Sequence, residues 1–251
     1  MLTLAMAFGG LEFSSLEETV KDITLARELG IRLTTHVGVI PNVRAVTRMN
    51  EAGLLGPDIN YIHATSCSDD EIKMIADSGG SLSISPLNEK LPGLDTWLKH
   101  GLRPSLSLDT ETRAPCDLFT QMRALLWHEW NSRRARPGEV QGGYRDVLEY
   151  ATIQGARATG LERKTGSLVV GKRADVILID RNDVSMIPWT GDPAESVVLV
   201  AQPSHVKWVL VDGKVRKRAG RLVGVDIDRL QTLAQASHDH LIETAKLKSQ
   251  N

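Results

Sequence analysis

The chain has 251 residues, with 30 Lys plus Arg against 31 Asp plus Glu, a formal net charge of −1, 41% hydrophobic and 4% aromatic residues. The balanced charge gives no electrostatic case for nucleic acid or for an anionic membrane surface. Its two cysteines, Cys67 and Cys116, are too few for a secreted disulfide scaffold, and no apolar run approaches the roughly 20 residues of a membrane helix. The N-terminal MLTLAMAFGG is apolar but lacks a basic leader. What remains is a soluble, cytoplasmic globular protein: one large α/β domain, or one domain plus a small appendage.

Short apolar runs alternate with amphipathic stretches through the first 130 residues. Leu2 to Phe8 reads as a strand. Ser14 and Ser15 precede Leu16-Glu17-Glu18 in a capping-box arrangement, and Gly30 stops the helix that follows. Ile31 to Val39 is strand-like, Val43 to Ala52 helical, and Asn60 to Ala64 a short strand. Ser68 starts a helix through Ala76, Ser81 to Ser85 is a strand, Leu94 to His100 a helix, and Ser105 to Leu108 a strand. Phe119 to Trp130 is a strong helix. Such alternation predicts parallel βαβ units with helices over the sheet. No glycine-rich phosphate loop follows the first strand, which disfavours a dinucleotide fold.

Residues 131–145 read as a polar loop, and Val147 to Thr159 as a helix. From Gly166 the texture changes to a β-rich module: GSLVVG, the apolar ADVILID, SVVLVA and HVKWVLV read as strands, with Asp212-Gly213 as a tight hairpin. Asp226 to Leu247 closes the chain as a polar helix with Leu230, Leu233 and Leu241 on one stripe. The expected domains are therefore 1–160, 161–225 and 226–251.

Three residues with metal-ligand chemistry stand at comparable places. His36 and His63 fall at strand ends, and Asp109 just after the SLSL strand. In a parallel sheet the C-terminal strand ends share one rim, where active sites form. Imidazole and carboxylate there suit zinc or iron. Taken singly, each His is as readily a hydrogen-bonded structural residue, and Asp109 a cap or turn residue. Glu89 sits at another strand end, as a polar site residue or a surface carboxylate. His100, His128, His205, His238 and His240 read as packing or surface residues, and Cys67 as structural.

Ala151 to Asp180, ATIQGARATGLERKTGSLVVGKRADVILID, resembles the C-terminal signature of the metal-dependent amidohydrolase superfamily, in its cytosine deaminase and triazine chlorohydrolase branch. THVG at 35–38 is similar to the histidine segment after barrel strand five, YIHATSCSDDEI at 61–72 to the strand-six histidine and its helix, and LSLDTETRAPCDLFTQMR at 106–123 to the strand-eight aspartate and the helix after it. The resemblance implies an α/β fold, a partial (β/α)8 TIM-type barrel comprising strands four to eight with a small C-terminal β-sandwich portion. It implies a divalent metal, zinc with iron as the alternative, and a small-molecule substrate hydrolysed at a C–N or similar bond of an N-heterocycle or amide. It makes His36 a metal ligand. His63 becomes a ligand or the group that polarises the substrate. Asp109 becomes a ligand and the base for the attacking water, with Glu89 a further catalytic candidate.

Two departures accompany the resemblance. The family's strand-one His-x-His has no counterpart, because the only such pair, His238-Asp239-His240, lies in the C-terminal helix. The proton-shuttling Glu three residues after the strand-five His is replaced by Val39. The alternative function is thus an incomplete or catalytically silent relative acting by binding or assembly. A barrel lacking three strands exposes edges, so the expectation is a homo-oligomer or a fragment of a longer protein.

Overall fold

The computed structural model describes residues 2–133, 143–187 and 191–245. Its first part runs β1 (Ala5–Ala7), α1 (Gly10–Phe13), α2 (Leu16–Glu28), β2 (Arg32–Val37), α3 (Ala45–Glu51), β3 (Ile59–His63), α4 (Asp69–Asp77), β4 (Ser81–Ile84), α5 (Asp95–Leu98) and β5 (Ser105–Leu106). Then come α6 (Leu118–Arg133), α7 (Tyr144–Tyr150) and α8 (Ile153–Ala158). Strands β1 to β5 form one parallel five-stranded sheet in sequential order. A doubly wound sheet reverses its order at a switch point; unbroken sequence order is that of successive strands in a (β/α)8 barrel.

The two faces of this sheet differ in chemistry. Leu33, Val37, Ile59, Tyr61, Leu82 and Ile84 are buried in one core with Ile23, Met49, Ile72, Ile75 and Trp97 of the covering helices. The opposite face is a polar row. The Asn60 amide donates to Thr34 Oγ1 at 3.5 Å, and Asn60 Oδ1 accepts from Ser81 and Ser83, each at 3.1 Å. Ser83 and Ser105 share a hydrogen bond of 2.6 Å. The serines of SLSIS and SLSL therefore alternate across the sheet as the pleat dictates, rather than lying in strands buried on both faces.

Two helices start at capping boxes, and the two boxes carry different weight. In α2, Ser15 and Glu18 cap each other in solvent. In α4, Glu71 is 2% exposed and reaches further. Its Oε2 accepts from Ser68 N at 3.1 Å, and its Oε1 accepts from Thr47 N at 3.2 Å and Thr47 Oγ1 at 3.1 Å. This one carboxylate caps α4 and ties it to α3.

The C-terminal part contains β6 (Val176–Ile179), α9 (Pro193–Leu199), β7 (Val206–Val211), β8 (Lys214–Arg218), β9 (Arg221–Leu222) and α10 (Ile227–Ala245). The last four strands make one antiparallel sheet in the order β6-β7-β8-β9. Among the described residues this is a single antiparallel layer. Asp212 (φ 53°) and Gly213 (φ 74°) make the left-handed pair of the expected hairpin.

Three local expectations are corrected. SVVLVA is helix α9, not strand: Asp192 caps it through Ala194 N, Pro193 occupies its first turn, and the apolar run supplies the buried Ala194 and Val198. Leu168 to Val170 lies outside any strand, with its side chains exposed. The single helix expected from Val147 to Thr159 is interrupted at Thr152, whose φ of −133° and ψ of −89° are not helical. The expected polar loop at 131–145 falls largely outside the described residues, although α6 extends into its start.

Replacing Glu71 by Ala removes a cap and leaves the Thr47 donors short of partners in a buried setting. We expect a loss of about 2–4 kcal/mol in urea unfolding, while Glu18→Ala at the solvent-exposed box shifts the midpoint far less. Equal effects at the two positions would contradict the brace assigned to Glu71.

Candidate functional site

The site lies at the C-terminal rim of the parallel sheet. Strand β2 alternates along its length, with Leu33, Thr35 and Val37 buried and His36 exposed on the other side. The register pairs His36 with Ile62 and Val37 with His63. Strict alternation would send His63 to the helix-covered face with Tyr61. Its left-handed backbone, φ 74°, breaks the alternation. The two imidazole rings then lie 5.0 Å apart, tilted by 30°. Ala64 (φ 52°) and Asp109 (φ 57°) are also left-handed. Such non-glycine conformations cost of order 1 kcal/mol each and collect at functional sites.

Glu89 holds His63 from the loop after β4. Its Oε1 accepts from His63 Nδ1 at 2.7 Å and from Ser85 N at 2.6 Å. Its Oε2 is buried without a hydrogen-bond partner among the described residues. With Nδ1 donating to the carboxylate, Nε2 is the free ring nitrogen. Burial pushes the His63 imidazolium down, but the hydrogen bond and charge of Glu89, with Asp109 and Glu12, outweigh it and raise the pKa. Burial lowers the pKa of His36, helped by the neighbouring His63, against the charges of Asp109, Glu12 and Glu89. Asp109 is exposed; its backbone N–H donates to Ser107 Oγ at 3.3 Å.

Sequence reasoning missed Glu12, which lies on α1 and is 8% exposed. Its Oε1 accepts from Gly38 N at 2.5 Å and its Oε2 from Ile40 N at 2.9 Å, bracing the loop that leaves His36. A carboxylate inside the apolar GGLEF was the available signal. Gly38 has φ 66°, and a Cβ there would lie 2.8 Å from Cys67 Sγ and 3.0 Å from Cys67 N. Its carbonyl accepts from Thr65 Oγ1 (3.1 Å) and Ser66 Oγ (2.7 Å), so the loops after β2 and β3 are strapped together. Asn88 Nδ2 donates to Leu108 O at 2.9 Å and joins the loops after β4 and β5 in the same way. Phe13 meets His36 edge-on with ring centroids 5.9 Å apart.

The remaining histidines are structural or peripheral. His205 is buried, takes Gln202 N on Nδ1 at 3.1 Å and bonds Ser185 Oγ through Nε2 at 2.9 Å. His100 Nε2 meets Asp69 at 2.9 Å, and His238 and His240 lie on α10.

A cavity of about 260 Å³ opens at the rim, lined by His63, Glu89 and Asp109 together with Val39, Asn88 and Arg113. His36 stands beside His63 but not on this wall. The amidohydrolase family profile matches residues 11–216. The chain belongs to the amidohydrolase family.

Among its relatives, a 5'-deoxyadenosine deaminase of Methanosarcina mazei is 30% identical over 205 residues, covering 79% of this chain and 46% of that protein. A 5-methylthioadenosine/S-adenosylhomocysteine deaminase of Desulforudis audaxviator is 29% identical, covering 89% of this chain and 55% of that protein. The amidohydrolase chain thus spans about half the length of the curated relatives it matches. An adenosine deaminase from Xanthomonas campestris with bound zinc shares the fold at a TM-score of 0.86 and 19% identity, over 94% of this chain and 56% of that one. A zinc complex of atrazine chlorohydrolase from Arthrobacter aurescens does so at 0.79 and 19% identity, over 92% and 54%.

The donors of this amidohydrolase chain fit a divalent ion in kind, since imidazole and carboxylate are the ligands zinc takes. They do not fit in number: among the described residues no three His, Cys, Asp or Glu side chains converge to hold a metal ion. His36 and His63 come together, and Asp109 stands near enough for its charge to act on both.

The thiol beneath the strapped loops gives a direct check on their closure. Burial pushes the Cys67 thiol up to about 12, whereas Cys116 is exposed. Because the thiolate is the reactive form, a thiol reagent at pH 8 should label Cys116 quickly and Cys67 only after denaturant is added. Equal rates for both in the native chain would show that the loops around Gly38 open freely.

Proposed function

We propose that this chain carries the C-terminal half of an aminohydrolase site, which replaces the exocyclic amino group of an adenine-type nucleoside by water and releases ammonia. The observation that carries the reading is the His63–Glu89 hydrogen bond, 2.7 Å long, set beside His36 on a rim shared with Asp109. The deaminase names of the relatives support the substrate class. A divalent ion, zinc before iron, would supply a water acidic enough to attack near neutral pH, and His36, His63 and Asp109 would be its donors on this side.

Asp109 would be the base for a proton of that water. Glu89 fixes the tautomer of His63 by taking its Nδ1–H, which leaves the Nε2 lone pair on the cavity side, free to be a donor to such an ion. Glu12 keeps the loop after His36 in place through two backbone bonds. In this reading residues 1–160 form an arc of a (β/α)8 barrel that bears the site, 161–225 a small β module, and 226–251 the terminal helix of a cytoplasmic enzyme. Val39 occupies the position the family gives to a proton-shuttling Glu, so proton return to the leaving amine falls to Asp109 or Glu89.

A second reading, a catalytically silent family member acting by binding or assembly, is favoured by one observation: the described residues do not close a three-donor centre. One experiment separates the two. The chain is supplied with zinc and assayed for ammonia release from adenosine, 5'-deoxyadenosine and methylthioadenosine. The catalytic reading expects turnover that falls at least about 10³-fold in Asp109→Asn with an unchanged circular dichroism spectrum. Turnover that survives Asp109→Asn would overturn the mechanism. No turnover from a folded chain that still binds the nucleosides would establish the silent reading.

A further inference from the structure

The opposite end of the parallel sheet holds a second cavity, of about 400 Å³. Its wall takes Arg32 from the start of β2, Arg103 from the turn before β5, Gln154 and Arg157 from α8, and Glu162 from the segment after α8. Arg32 is half-buried and held in place. Its Nε donates to Ala158 O at 3.2 Å. Gly160 (φ 69°) makes room for its arm, since a Cβ there would stand 2.6 Å from Arg32 Cδ. That leaves both terminal nitrogens of Arg32 without a partner among the described residues. Arg157 is exposed, and its guanidinium likewise has neither hydrogen bond nor ion pair among them. Arg103 differs, because its Nη2 already meets Asp146 and Glu149. Asp58, whose charge reaches Arg32, is bonded to Arg27. Two guanidiniums are therefore left over on this wall, against the one unpaired carboxylate of Glu162. Gln154 is only 6% exposed, yet its Nε2 is buried with no hydrogen-bond partner among the described residues. A buried amide left open is costly and asks for an occupant.

We propose that this cavity binds a small phosphate monoester with a hydroxylated body. Guanidinium forks match phosphate oxygens two at a time. A phosphate monoester carries close to two negative charges at neutral pH, which answers the two uncompensated cations, Arg32 and Arg157. The volume lies in the range of small-molecule sites, and a bare phosphate would fill only a small part of it. Glu162 repels a phosphate but accepts from a hydroxyl, so it faces the body of the ligand rather than its anionic end. Gln154 can offer either NH2 or C=O to the same body. This site is separate from the catalytic rim: Arg32 and His36 stand four residues apart on β2, roughly 13 Å along the strand.

Isothermal titration calorimetry of the 251-residue chain tests the assignment with ribose 5-phosphate, ribose and inorganic phosphate. Ribose 5-phosphate should bind once per chain, inorganic phosphate more weakly, and ribose not at all. Arg157→Ala should weaken the ester at least about 10-fold. The thermal midpoint of the unliganded variant should not move, because the Arg157 side chain braces nothing. Glu162→Ala should act with opposite signs, weakening ribose 5-phosphate and tightening inorganic phosphate, which a purely structural role would not do. Asp109→Asn, at the other end of the sheet, should leave all three titrations unchanged. No binding of ribose 5-phosphate to the folded chain, or binding indifferent to Arg157→Ala, would overturn the proposal. Binding lost in Asp109→Asn would place the ester on the rim and overturn it too. Inorganic phosphate binding as tightly as the ester would overturn the hydroxylated body.

Discussion

Five parallel strands in sequential order end on one rim, and the rest of the site depends on that constraint. Each βα connection brings the chain back to start the next strand at the same end, so every strand delivers its last residue to the same edge. His36 ends up beside His63 although 27 positions separate them in sequence. Glu89 and Asp109 join from the loops after β4 and β5. Residues far apart in sequence share a rim only because the sheet fixes their depth. The loops are then strapped in pairs: the Gly38 carbonyl accepts from Thr65 and Ser66, and Asn88 donates to the Leu108 carbonyl.

Buried carboxylates do much of the bracing elsewhere. Glu12 grips two backbone N–H groups after β2, Glu71 ties α4 to α3, and Glu89 ties His63 to the start of the loop after β4. Each accepts bonds from at least two donors of the chain, most of them backbone N–H groups in buried or half-buried positions. A carboxylate with several such donors is worth far more in place than its removal would suggest from any one bond, because several groups are orphaned at once.

The strand–helix alternation was legible because each helix announces its start and stop. Ser15, Ser68 and Gly30 read directly as caps and a terminator. His36, His63 and Asp109 were legible as strand-end residues, and the family signature at 151–180 agrees with the profile match. Glu12 was not, because its role is set by a backbone 26 positions away. The closeness of the two imidazoles was not either: it depends on a left-handed backbone at His63 that no propensity predicts for histidine. Helix α9 was misread because its apolar run outweighed the Asp192-Pro193 start signal. The sandwich inferred from the family is, among the described residues, one antiparallel layer.

The polar row on the inner sheet face decides how neighbouring strands are held to one another. The interior of a (β/α)8 barrel is commonly filled by interlocking branched aliphatic side chains. Here Thr34, Asn60, Ser81, Ser83 and Ser105 satisfy one another sideways. The row is therefore self-contained: Asn60, Ser83 and Ser105 are buried, and they are answered by hydrogen bonds within the row itself. The sheet is thus held by sideways polar pairs on one face and by aliphatic packing against helices on the other.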